Sequence, residues 1–212
     1  MTEHNFEQMR RAMVASQLRT TGVDDARVVA AMGAVPRELF VPAGRAPLAY
    51  TDRIVPLDQG RSMPPPMALG RLLTAAHTRP EERALVIGSG TGYAAAVLAE
   101  LVAHVVALEE AELSHRGPVP ANVTTVIGSL AAGWAGDAPY DLILCDGAVE
   151  QVPAAIVDQL ADGGRLATAT VDRGVTRLAI GRKVGTAFGL VPFADVETPV
   201  LPGFAQPAGF CF

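Results

Sequence analysis

Three glycines at two-residue spacing, Gly88, Gly90 and Gly92, follow the short apolar run Leu85-Val86-Ile87 and precede an alanine-rich stretch. Glycine tolerates positive φ and lets a ligand approach the backbone closely. The start of a following helix adds free N–H groups and the positive end of its dipole. In an open parallel sheet, such a strand-to-helix turn lies at the carboxyl edge, where ligands bind. Glu109 ends the next apolar run, Val105-Val106-Ala107-Leu108. A carboxylate there can accept hydrogen bonds from both hydroxyls of a ribose. The G-x-G-x-G spacing, with Tyr93 and Ala94 next, meets the dinucleotide pattern G-x-G-x-x-G only loosely. Gly88, Ser89, Gly90, Gly92, Tyr93 and Glu109 therefore form a candidate nucleoside site. The competing reading is that glycines and a terminal Glu occur in many strand-to-helix turns.

Other residues offer chemistry more ambiguously. Asp146 ends the run Leu142-Ile143-Leu144-Cys145, where it either faces a ligand or caps the next turn. Arg61 reads as a solvated loop charge, the alternative being a forked ion pair with a substrate carboxylate. Ser62 is equally a turn residue or a site residue. His4, His77, His104 and His115 lack metal-ligand spacing. Cys145 reads as a buried small hydrophobe, and with Cys211 it gives no disulfide framework.

The elements that must position these residues follow from patterning. Phe6, Met9, Met13, Val14 and Leu18 recur at helical spacing, and Gly22 stops the run. A second helix starts at Asp24 or Asp25 and ends before Pro36, and a third runs from Pro66 to about Ala76. Between them, residues 35–66 are irregular and rich in Pro and Gly, the kind of segment that often carries function. Strands are expected at 84–87, 105–108, 123–127, 141–145 and 165–171, with helices at 93–101 and 156–160. Gly163-Gly164 is read as a turn, 176–180 and 188–196 as an added antiparallel hairpin, and the tail after Pro199 as hugging the surface. The fold expected is α/β: a doubly wound, mostly parallel sheet in one domain spanning 1–212. Residues 1–78 form a helical and loop extension over a core at 79–212.

The chain carries 17 Lys and Arg, scattered, and a net charge of −5, which leaves no basic footprint for nucleic acid. No apolar stretch approaches the length of a membrane span and no secretory signal is visible, so a cytoplasmic protein is expected.

Several segments together resemble the protein-L-isoaspartate O-methyltransferases. Met13-Val14-Ala15-Ser16-Gln17-Leu18-Arg19, Val35-Pro36-Arg37-Glu38-Leu39-Phe40-Val41-Pro42 and Ala49-Tyr50-Thr51-Asp52 match the family before its cofactor loop. Gly88-Ser89-Gly90-Thr91-Gly92-Tyr93 is similar to that loop, and the register continues through Pro139-Tyr140-Asp141 and Gly163-Gly164-Arg165-Leu166. The resemblance covers residues 10 to 170. It implies a Rossmann-like methyltransferase that uses S-adenosyl-L-methionine to esterify isoaspartyl residues in damaged peptides and proteins. It also implies Ser129 and Leu130 beside the adenine and Ser62 as the catalytic hydroxyl, while Asp146 is kept as a cofactor-binding candidate from its place at the strand end.

The chain departs from the family where ligands would sit. Gly60-Arg61-Ser62-Met63-Pro64-Pro65-Pro66 stands in place of Gly-Gln-Thr-Ile-Ser-Gln-Pro, so the family serine falls on Pro64 and its threonine on Ser62. Val86 replaces a carboxylate, and Ser129 replaces an aspartate. The stretch from Glu110 to Asn122 is short, so one crossover helix is expected to be lost. Methyl transfer to a carboxylate needs alignment and exclusion of water more than acids or bases. A missing positioning hydroxyl removes about 1–3 kcal/mol of hydrogen bonding. Two further readings stay open: a non-catalytic relative that binds an adenosyl ligand or a partner, and a methyltransferase with another substrate. The oligomeric state is not readable from the sequence.

Overall fold

The computed structural model describes residues 5–205; His4 and Cys211 lie outside them. Helix α1 (Phe6–Met13) continues through a wider π turn at Val14–Leu18 and a tight turn at Arg19–Thr21, ending at Gly22 with φ +87°. The expected single helix is thus regular only over its first half. Asp25 caps α2 (Ala26–Ala34) by accepting from Arg27 and Val28 N–H, and α3 (Pro66–Ala76) has proline in its first turn. The irregular segment between them holds two tight turns and a short hairpin, β1 (Val55–Pro56) with β2 (Ser62–Met63).

Next come β3 (Arg83–Ile87), α4 (Tyr93–Ala99), β4 (His104–Glu109) and β5 (Val123–Ile127). No helix joins β4 to β5, as the short connection implies. Then follow β6 (Tyr140–Val149), α5 (Ala154–Asp158), β7 (Leu160–Asp172), β8 (Val175–Val184) and β9 (Ala187–Asp195). The seven-stranded sheet has the order β5-β4-β3-β6-β7-β8-β9, parallel from β5 to β7 and antiparallel at β8 and β9.

Alternation along the strands gives the sheet two apolar faces. Ala84, Val86, Leu142 and Leu144 face the layer built by α1 to α4, whereas Leu85, Ile87, Ile143 and Cys145 face a second cluster with Leu130, Ile156 and Leu166.

Two expectations need correction. Gly163-Gly164 is no free turn: it lies inside β7, where Gly163 has φ +75° and a Cβ on Gly164 would stand 2.8 Å from Ala161 O. Residues 200–205 are not a surface appendage either. Leu201 and Phe204 are buried in the second cluster, and Ala148 N–H donates to Pro199 O while Leu201 N–H donates to Ala148 O.

Candidate functional site

β3, β4 and β6 end side by side, which brings the glycine bend, Glu109 and Asp146 to one edge. Gly88 has φ +74°, where an L side chain is strained, and a Cβ there would lie 2.7 Å from Leu201 Cδ2 and 2.8 Å from Arg61 Nη2, so both side chains would have to shift. Gly90 has φ +54° and aims its N–H at Glu109 Oε2, 2.6 Å away, while Glu110 N–H donates to Oε1 at 3.0 Å. Glu109 thus faces the bend, and its carboxylate is fixed by two backbone amides.

Arg61 supplies the other two bonds. Its Nε donates to Oε1 at 3.2 Å and its Nη2 to Oε2 at 3.1 Å, with Nη2 also donating to Gly88 O at 3.0 Å. Arg61 is only 7% exposed, so the expectation of a solvated loop charge is wrong. A carboxylate offers roughly four acceptor positions. Backbone amides fill two and Arg61 fills two, so a ribose can reach Glu109 with both hydroxyls only when Arg61 withdraws. The adjoining cleft, about 230 Å³, is lined by Gly90, Glu109, Glu112, Leu113, Arg116 and Ile127.

Arg61 and Ser62 sit on the β1–β2 hairpin, which straps this edge. Its tip turns through Gln59 and Gly60, at φ +50° and +73°. It docks on the far wall of the cleft: Ser114 N–H donates to Asp58 Oδ2 at 2.7 Å, and Gln59 Nε2 donates to Glu112 O at 2.9 Å. The bonds from Ser114 hold the Asp58 carboxyl below its ordinary pKa.

Under the strap lies a narrow crevice lined by Ser62, Ser89, Gly90, Thr91, Tyr93 and Asp146, too pinched to admit water. Gly90 borders both cleft and crevice. Ser89 and Thr91 are each 2% exposed, and their hydroxyl oxygens have no hydrogen-bond partner among the described residues. Such unpartnered buried hydroxyls suit a site that takes a polar ligand. The residues therefore fit an adenosyl group with a polar tail. Burial pushes the Asp146 carboxyl up to about 7; Arg37 and Arg61 oppose the rise and Glu109 adds to it.

Sequence reasoning quoted Arg37 within a matching segment but missed what it does. Arg37 is fully buried, donates to Ala49 O at 2.7 Å and Pro64 O at 2.6 Å, and lies 4.5 Å over the Tyr93 ring. It ties the loop bearing Pro64 to the first turn of α4, and Phe40 packs edge-on against Tyr93. Proline at 64 removes a donor, yet its carbonyl anchors the loop. The sequence signal was an arginine set, with Glu38, in a Pro-flanked and mostly apolar run.

Not every expected residue converges. Ser129 is exposed, Leu130 packs fully buried in the second cluster, and neither lines the cleft or the crevice. Gly92 starts α4 against Phe40, and Val86 is buried in the first cluster.

Residues 9–184 match the model of the protein-L-isoaspartate(D-aspartate) O-methyltransferase family. A protein-L-isoaspartate O-methyltransferase of Methylorubrum populi is 38% identical over 202 residues, covering 92% of this chain and 95% of its own. That of Protochlamydia amoebophila is 38% identical over 161 residues, covering 73% and 77%. Among solved structures, a Plasmodium falciparum protein assigned to the same activity, in complex with S-adenosyl-L-homocysteine, superposes with TM-score 0.71. It is 18% identical and covers 94% of this chain and 99% of its own. Another protein-L-isoaspartate O-methyltransferase superposes with TM-score 0.74 at 21% identity, covering 93% and 66%.

Proposed function

This chain belongs to the protein-L-isoaspartate O-methyltransferase family, and from that premise we propose that it methylates the free carboxylate of isoaspartyl residues in peptides and proteins. The observation that carries the reading is Glu109, presented by the Gly90 and Glu110 amides in a cleft that shares Gly90 with a crevice holding unpartnered hydroxyls. S-Adenosyl-L-methionine, the family's cofactor, supplies a methyl group on a sulfonium that a carboxylate oxygen can attack, leaving a neutral thioether. The protein's share is placement. Glu109 holds the ribose hydroxyls, the glycine bend admits the nucleoside, and Ser62 orients the substrate carboxylate from the strap. No general base is required, because the nucleophile is already ionised.

Lifting the strap does two things at once. It withdraws Arg61 from Glu109 and opens the crevice beneath Ser62. Arg61 is then free to meet the substrate carboxylate in a forked pair.

The test is labelled methyl transfer from S-adenosyl-L-methionine to an isoaspartyl peptide, with the aspartyl isomer as control. Label in the isoaspartyl peptide alone is expected. Cofactor binding without label in either peptide would remove the repair assignment. The occupied acceptor positions of Glu109 favour a second reading, a relative held in a closed, non-catalytic form. It requires that the wild type bind no nucleoside while an Arg61→Ala variant does.

A further inference from the structure

Among the described residues, hydrogen bonds fasten the tip of the strap at three places. Arg61 holds Glu109 and Gly88 O, Gln59 Nε2 holds Glu112 O, and Asp58 Oδ2 accepts from both the N–H and the hydroxyl of Ser114. The last two fastenings lie on the segment that walls the cleft with Glu112, Leu113 and Arg116. That wall is fixed from behind. Gly117 N–H donates to Thr91 O at 3.0 Å, a Cβ on Gly117 would stand 2.2 Å from Phe40 Cδ1, and His115 Nε2 lies 3.0 Å from Leu39 O. The tip instead bonds within itself, Leu57 N–H to Arg61 O at 2.8 Å and Arg61 N–H to Asp58 O at 2.9 Å. It is a compact tab held against a rigid wall.

Closure leaves polar groups unsatisfied. Asp58 Oδ1 is buried without a partner among the described residues, and so are the Ser89 and Thr91 hydroxyls in the crevice beneath. A buried polar atom left unpaired is costly. Gln59 adds backbone strain at φ +50°, a region that glycine adopts freely and other residues seldom do. Arg61 and Glu109 are both buried, and such a pair returns little beyond its own desolvation. The balance between closed and lifted strap therefore falls to the tip's outer bonds, and Ser114 is exposed, so water replaces Asp58 readily when the tip leaves.

We infer that the Asp58–Ser114 contact is a latch that keeps the strap closed while no nucleoside is bound, and so sets the fraction of molecules able to take one. The latch presupposes the nucleoside site proposed above and adds its regulation. Closed and occupied forms exclude each other, because Arg61 and a ribose need the same oxygens of Glu109. A ligand that enters only unlatched molecules associates in proportion to their fraction, and it leaves at a rate that the latch does not touch. Asp58 is thus a positioning residue that acts through the strap, and its signature is kinetic.

The test is the binding kinetics of 5′-methylthioadenosine, an uncharged adenosyl nucleoside, followed by surface plasmon resonance on the immobilised protein. A neutral ligand keeps the lost charge of Asp58 from altering the encounter itself. Asp58→Ala is expected to raise the association rate by about fivefold, the worth of one net hydrogen bond, and to change dissociation less than about twofold. Asp58→Asn keeps an acceptor oxygen and should fall between Asp58→Ala and the wild type. Ser114→Ala removes the hydroxyl but keeps the N–H, and should speed association by about two- to threefold.

A rise in association under about twofold in Asp58→Ala, or a change carried by dissociation instead, overturns the latch and leaves the nucleoside site standing. If Asp58→Ala binds nothing while the wild type binds, Ser114→Ala decides, and an association rate no faster than wild type overturns the latch. Binding by Asp58→Ala where the wild type shows none supports it most strongly. Failure of the wild type and all three variants to bind overturns the nucleoside site, and the latch with it.

Discussion

Arg61 and a ribose compete for the same two acceptor positions of Glu109, so the ion pair opposes nucleoside binding. Arg61→Ala should tighten 5′-methylthioadenosine binding by about tenfold, the worth of one charge-assisted bond no longer displaced. The same variant should raise KM for an isoaspartyl peptide. Calorimetry and steady-state kinetics check the two halves, and weaker nucleoside binding would contradict the competition. Asp146 gives a prediction about stability. Its folded-state pKa of about 7 stands above the roughly 3.9 of an unfolded aspartate. The folded protein therefore keeps a proton that the unfolded chain releases, and the cost of burying the charge is absent below pH 4, grows through that window and is complete above pH 7. Asp146→Asn should raise Tm by about 2–6 °C at pH 8 and leave it unchanged at pH 4. Glu109 and the glycines were legible because their roles lie in local spacing. Arg61 was not, since its partner is 48 residues away and only the folded strap joins them.

At the scale of elements, the carboxyl edge is held in place from the opposite edge of the sheet. Arg165 on β7 donates to both oxygens of Glu82, at 2.7 and 2.8 Å, and to Ala76 O at the end of α3 at 2.9 Å. It thereby links α3, the residue before β3, and β7, where Asp141 O of β6 also accepts at 3.3 Å. Burial alone would raise the Glu82 pKa, but the bonds from Arg165 and Arg79 outweigh it and hold it below its ordinary value. Arg165→Met would leave a 3%-exposed carboxylate short of its main partner. Unfolding in urea should show a loss of about 3–5 kcal/mol, and adding Glu82→Leu should restore part of it. A loss under 1 kcal/mol would mean that the pair does not bind these elements together. Helix α3 was readable from proline at its entry and apolar spacing. The π turn after α1 was not, because tertiary bonds such as Gln17 Nε2 to Tyr50 O act there and leave the helical spacing unmarked. The length of β7 was hidden by Gly163-Gly164, a pair that signals a turn wherever the partner strand cannot be seen.

For the whole molecule, alternating residues on β3 and β6 set the two faces, and parallel order from β5 to β7 sets which edge receives a ligand. Those features were legible as apolar runs separated by helical patterns. The two buried faces and the C-terminal segment that completes one of them depend on contacts across the chain, and patterning carries no record of them. Among the described residues no helix is long and apolar enough to cross a membrane. The most direct measurement is titration of S-adenosyl-L-homocysteine into the wild type and into Glu109→Gln. The account predicts one-to-one binding by the wild type and a loss of at least about tenfold when the carboxylate becomes an amide. Equal binding by both proteins, or none by the wild type, would contradict it.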